Sequence, residues 1–119
     1  MIKIEFDIIP LIANGLKPIS NRGITVVNGW YDKDINDTHI TFLVINEFPN
    51  AITDDEIELM SYLIQVDIWS KNDEWKLKNE VIRLMSALDF GYIDGKPFYE
   101  TETGIYHNAL RFKYIQEVE

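Results

Sequence analysis

The stretch from Tyr62 to Gly91 constrains the fold more than any other part of this chain. It opens with the alternating run Tyr62-Leu63-Ile64-Gln65-Val66-Asp67-Ile68-Trp69 and passes, with almost no loop, into residues spaced like one face of a helix. Alternation at period two places Tyr62, Ile64, Val66 and Ile68 on one face of a strand. Leu77, Val81, Leu84, Met85 and Leu88 recur every three or four residues and form one apolar helical stripe, while Lys76, Lys78, Glu80 and Arg83 lie off it. The two surfaces are expected to pack on each other. Asn72 or Ser70 is the expected N-cap, with Asp73 and Glu74 in the first turn where the helix dipole favours negative charge, and Gly91 suits the stop.

Upstream, Ile8, Ile9, Leu11, Ile12 and Leu16 recur at helical spacing, with Asp7 as N-cap and Gly15 as terminator. Pro10 then falls at the third helical position, where its missing N–H costs no intrahelical bond. The turn-like Lys17 to Gly23 precedes a β-branched and aromatic run, Ile24 to Tyr31, which predicts a strand. A polar loop over Asp32 to Asp37 leads to a second strand, His39 to Ile45, apolar on both faces and therefore expected to be central. These two strands are expected to form a hairpin with a long acidic tip. Thr53-Asp54-Asp55-Glu56 fits a capping box for a helical turn, but also a loop into a strand beginning as early as Ile57, and shared strand parity from Glu58 to Ile68 favours the strand. Asp94-Gly95 predicts a tight hairpin between Tyr92-Ile93 and Phe98-Tyr99. In the last strand Tyr106, Leu110, Phe112 and Tyr114 fall mostly on one face, and His107, Arg111 and Lys113 on the other. The expectation is one α+β domain over residues 1–119: a mainly antiparallel sheet, an N-terminal helix and one long amphipathic helix packed on one face.

A chain of 119 residues can bury roughly two-thirds of its unfolded surface, enough for its own core. Eleven Lys and Arg stand against twenty Asp and Glu, a formal charge of −9 that argues against the phosphate-neutralising footprint of a nucleic-acid binder. That charge serves either solubility or an acidic wall that faces DNA without gripping it. The absence of cysteine removes disulfides, thiolate nucleophiles and Cys-based zinc sites. The opening Met-Ile-Lys-Ile-Glu-Phe-Asp mixes charge into its apolar residues, unlike a signal peptide, and nothing approaches the ~18 consecutive apolar residues of a membrane span. A soluble protein made without export is expected.

No constellation demands a particular chemistry. His39 and His107 sit in separate predicted strands, with no spacing that puts two ligands on one helix face. Ser20, Ser61, Ser70 and Ser86 lack a nucleophile elbow. Asp32-Lys33-Asp34-Ile35-Asn36-Asp37 begins like a calcium loop but has Asp37 where glycine is needed and Leu43 where a bidentate glutamate is needed. Gly91 and Gly95 form no phosphate cradle. Trp30, Trp69 and Trp75 are either core or contact surface. The expectation is no catalytic residue, cofactor or metal, with Asp32, Asp34, Asn36, Asp37, Trp69 and Trp75 as candidate interface residues.

Taken together, Tyr62-Leu63-Ile64-Gln65-Val66-Asp67-Ile68-Trp69-Ser70-Lys71, the helix to Met85, Glu102-Thr103-Gly104-Ile105-Tyr106-His107 and the Arg111-Phe112 strand resemble the small tail terminator, or tail completion, proteins of long-tailed bacteriophages and prophages. The resemblance is best over the second half of the chain. It implies a non-enzymatic ring, usually of six subunits, that caps the finished tail tube and forms the surface to which a DNA-filled head docks. The implied partners are further copies of itself, the tail tube protein and a head–tail connector protein. DNA would pass through without specific binding, and the protein would reside at the head-proximal end of the virion tail after assembly in the host cytoplasm. A free-standing acidic binding or inhibitor module, and another small head–tail connector protein, are the alternatives.

Overall fold

The computed structural model of the protein describes residues 7–32, 37–72 and 74–118. Its elements run α1 (Ile8–Gly15), α2 (Lys17–Ser20), β1 (Thr25–Asn28), β2 (His39–Thr53), β3 (Glu56–Ser70), α3 (Trp75–Ser86), β4 (Gly91–Glu100) and β5 (Ile105–Glu117). The architecture is α+β and dominated by one five-stranded mixed sheet of order β1-β2-β3-β5-β4. The 15-residue strands β2 and β3 set its long dimension, since about 3.3 Å per residue gives roughly 50 Å. The molecule measures 53 × 27 × 24 Å along its principal axes.

Strand alternation sorts the side chains as the sequence requires. Ile40 and Phe42 of β2, Ile64, Val66 and Ile68 of β3, and Leu110 and Phe112 of β5 share one apolar cluster with Ile8, Ile12, Leu16 and Ile19 from the N-terminal helices. From α3 the same cluster receives Leu77, Val81 and Met85, with Leu84, Leu88 and Tyr62 packed partly buried against it. Each fully buried apolar side chain contributes about 1.5–3 kcal/mol, so this shared face is the main source of stability. Arg22 crosses from the end of α2 to Glu80 of α3 with two hydrogen bonds of 2.7 and 2.8 Å. As expected, Asp7 caps α1, its side chain accepting the Ile9 N–H at 3.0 Å.

Several sequence expectations change. β1 does not form a hairpin with β2: the two run parallel, Thr25 beside His39 and Asn28 beside Phe42. Parallel neighbours cannot be joined by a tight turn, so the chain after Gly29 (φ 144°) must travel back along the sheet before β2 begins. Lys17 to Ser20, expected as turn, closes a helical turn with Pro18 near its start, where proline is tolerated. The sheet face is shared by helices of 8, 4 and 12 residues, not by an N-terminal helix and one long one. α3 has no side-chain N-cap; Ser70 acts one step earlier, its hydroxyl accepting the Asn72 N–H at 3.0 Å. The helix stops before Gly91, with Asp89 in the left-handed region (φ 66°) and the Phe90 N–H bonded to the Met85 carbonyl at 3.1 Å.

Asp94-Gly95 is not a hairpin turn but lies inside β4, which pairs with β5 along its whole length and carries a bulge between Tyr92 and Asp94. The Asp94 carboxylate is held across the pair by Arg111, at 2.9 and 2.7 Å. A Cβ at Gly95 would run into the Tyr92 hydroxyl and, at 3.1 Å, Leu110, so the glycine serves close approach here and not a turn. The turn that does occur joins β2 to β3 at Asp54 and Asp55, both left-handed (φ 52° and 63°), the backbone of a type I′ hairpin. The long β3 strand expected from parity therefore begins at Glu56, and the capping-box reading of Thr53 to Glu56 fails.

Candidate functional site

The sheet face away from the helices carries the unusual chemistry. Register brings four rings into one row across four strands: His39 of β2 beside Trp69 of β3, Trp69 beside His107 of β5, and His107 beside Phe98 of β4. The next row is Thr41, Asp67, Ala109 and Lys96, and the one after it Leu43, Gln65, Arg111 and Asp94. Trp69 and His107 stack with centroids 3.7 Å apart and planes 11° from parallel. Phe98 lies 5.5 Å from His107 on β4's side.

The connection after β1 roofs this row. Trp30 meets Trp69 and His107 edge-on, at 5.3 and 5.7 Å, and Tyr31 packs on Trp69 at 4.8 Å. Trp30 and Tyr31, early in the β1–β2 link, are thus held over the second face of the sheet by aromatic contacts. Trp69 is sealed beneath it, 7 % exposed, and donates its indole N–H to Thr41 at 2.9 Å. Trp30 above remains 55 % exposed.

Asp67 lies in the same face and is wholly buried. Because a carboxylate only accepts, His107 Nε2–H donates to its Oδ1 at 2.6 Å, and Gln65 Nε2 donates to the same oxygen at 2.9 Å. Oδ2 has no partner among the described residues. This orients the His107 ring between Trp69 and Phe98. His39 donates Nδ1–H to the Asp37 carbonyl at 3.0 Å, and its buried Nε2 has no partner among the described residues. The histidines sit on β2 and β5, with β3 and the Trp69 ring between them.

Cavities lined by described residues open on this face. One, of about 310 Å³, is lined by Tyr31, Asp37, His39, Trp69, Ser70 and Lys71 among others. The second, about 360 Å³, lies between Trp30 and Phe98 over His107 and Ala109, with Gln65, Lys96 and Arg111 completing its walls. Arg111 holds Asp94 below the ordinary carboxylate range through their hydrogen-bonded ion pair, and Asp94 in turn raises Arg111.

Of the six residues expected at an interface, four lie among the described residues. Asp32 and Asp37 are exposed, and Asp34 and Asn36 lie outside the described residues. Trp69 is buried and its contacts are intramolecular. Trp75 is 60 % exposed at the start of α3, where the Lys78 ammonium lies 3.5 Å from its ring centroid. Sequence reasoning missed Asp67, Lys96 and Phe98, which only strand register brings to His107. One signal was available: Asp67 interrupts an apolar run, where a charged residue must be buried with a partner.

Among the described residues, no helix is long and apolar enough to cross a membrane, and no group of three or more His, Cys, Asp or Glu converges as metal ligands would. No protein-family model matches this sequence, and no curated protein matches it.

Proposed function

We propose that this protein is a non-enzymatic structural component of a long-tailed phage or prophage: a ring, of six subunits by the resemblance, that caps the tail tube and offers the docking surface for the filled head. Its place is then the head-proximal end of the tail, reached from the host cytoplasm. The observation that carries this reading is the state of β4. Every residue of that ten-residue strand except Asp94 is exposed, and its outer edge has no strand partner among the described residues. It also presents Tyr92, Ile93, Phe98 and Tyr99 to solvent. Soluble proteins blunt such edges, because an unpaired, apolar strand edge templates pairing with another chain. A ring uses the edge productively, by closing heterologous contacts around an axis.

Two further features support it. The β2–β3 hairpin runs on past the helix-covered core to its tip at Asp54-Asp55, an arm able to reach a neighbouring subunit or the tube. The formal charge of −9 suits a channel past which DNA slides, with no specific grip. The direct test is to mix the purified protein with isolated tail tubes and image the tube ends by electron microscopy. The proposal requires a ring of added density at one end only. Bare tube ends, or binding to head portals in place of tubes, would move the protein to another connector role; a tight one-to-one complex with a basic partner would favour the inhibitor alternative.

A further inference from the structure

We infer that the cleft between Trp30 and Phe98 is a binding site for a small aromatic anion: a flat ring that carries a phosphate or carboxylate. The inference is independent of the assembly role. It begins from an inversion of charge. In a protein with twenty acidic and eleven basic residues, this cleft is lined, among the described residues, by Lys96 and Arg111 and by no acidic side chain. Two carboxylates flank it in register: Asp67, which accepts from His107 and Gln65, and Asp94, which is held by Arg111 Nε and Nη2 and attracted by Lys96. That leaves Arg111 Nη1 and the Lys96 ammonium with donors to offer, and a charged acceptor is what such donors bind best.

The ring half of the ligand follows from the walls. Trp30 and Phe98 are 55 % and 53 % exposed, large aromatic surfaces left in water at the mouth of a concavity. Both are held in place, since each packs against His107. His107 is itself stacked on Trp69 and tethered to buried Asp67, so the floor is rigid before any ligand arrives. Ala109 supplies the depth, a small residue between the larger His107 and Arg111 on β5. Stacking walls beside cationic donors are the combination that takes a planar anion, and about 360 Å³ lies within the size range of small-molecule sites. Gln65 adds selectivity: its amide nitrogen is engaged by Asp67, so its carbonyl is free to accept from a ring N–H or hydroxyl.

A nucleotide and an aryl carboxylate share this chemistry, and titration separates them. The assay follows the indole N–H signals of the ¹⁵N-labelled protein by NMR, assigned through Trp30→Phe. Adenosine monophosphate and 4-hydroxybenzoate are the two whole probes; adenosine and inorganic phosphate are the two halves. At least one whole probe should shift the Trp30 signal saturably, and each half should bind roughly tenfold or more weakly, the scale of one lost charged hydrogen bond. Whichever whole probe binds tighter names the ligand class. Lys96→Glu and Phe98→Ala, both at exposed positions that leave the core intact, should each weaken binding by roughly tenfold or more while the remaining spectrum stays dispersed. The inference is overturned if neither whole probe saturates, if the nucleotide saturates but phosphate alone binds as tightly, or if neither variant weakens binding.

Discussion

Replacing Asp67 by alanine isolates the polar centre of the second sheet face. Three effects compete. The change strips His107 Nε2–H and Gln65 Nε2 of their shared acceptor, and a hydrogen bond to a charged group is worth about 1.5–3 kcal/mol. Against this, the His107 side chain is 16 % exposed and Gln65 is half-buried, so both donors can partly recover a bond from water. Losing the carboxyl also removes a wholly buried group whose Oδ2 has no partner among the described residues, which offsets part of the loss. The expected net cost is about 1–3 kcal/mol, or a fall in Tm of roughly 3–15 °C for a chain of this size. Asp67→Asn keeps one acceptor oxygen and should cost about half as much. Urea denaturation followed by tryptophan fluorescence measures both, since Trp69 stacks on the His107 ring that Asp67 orients. A loss below ~0.5 kcal/mol for the alanine variant, or a gain, would show that the buried bond does not stabilise the fold.

Other consequences follow from the core, the hairpin and the exposed ion pairs. Met85 is fully buried and Leu84 only half-buried, so Met85→Ala should cost about 2–5 kcal/mol and Leu84→Ala clearly less; the reverse order in denaturant unfolding would mean α3 is rotated on the sheet. Asp55→Gly relieves a left-handed non-glycine residue and removes one of two adjacent charges, so it should raise stability by up to about 1 kcal/mol, and a lower Tm would contradict the type I′ turn. Glu80 and Asp94 are held below the ordinary carboxylate range by Arg22 and Arg111. A carboxylate with a lower pKa folded than unfolded stabilises fully above its unfolded value of about 4, and that contribution is lost as pH falls through the folded pKa. Arg22→Gln with Arg111→Gln should therefore flatten the stability curve between about pH 5 and 3 without altering its slope near neutrality, and parallel curves would remove the ion pairs from the explanation.

How much of this was legible in the sequence depended on the range over which each feature is encoded. The Asp7 cap, the faces of β3 and the apolar stripe of α3 are set by residues within one or two turns or pleats of each other, and they read correctly. β1 failed because parallel and antiparallel partners have the same local pattern; what distinguishes them is where the connection travels, and that is decided by Trp30 and Tyr31 docking on residues far along the chain. Asp94-Gly95 failed because the same dipeptide suits a tight turn and a bulge, and the choice was made by Arg111 and Tyr92, neither of which is in the dipeptide. Asp89 replaced the expected glycine because aspartate tolerates the left-handed region well enough for one helix end. The ring row on the second face was least legible: His39, Trp69, Phe98 and His107 become neighbours only once four strands are placed in register. The expectation that Trp69 is a contact residue rested on its strand parity alone. A face that is away from the helices is not thereby exposed, because the roof segment covers it.

The measurement that bears most directly on the proposed role is a clean deletion of this gene from the genome that encodes it, with any particles produced examined by electron microscopy. A tail-capping, head-docking ring predicts filled heads without tails, free tails beside them, and some tails longer than normal because nothing halts the growing tube. Complementation with the intact gene should restore joined particles. Normal joined virions from the deletion would contradict the role outright, and heads that never fill would place the protein on the head side of the junction instead.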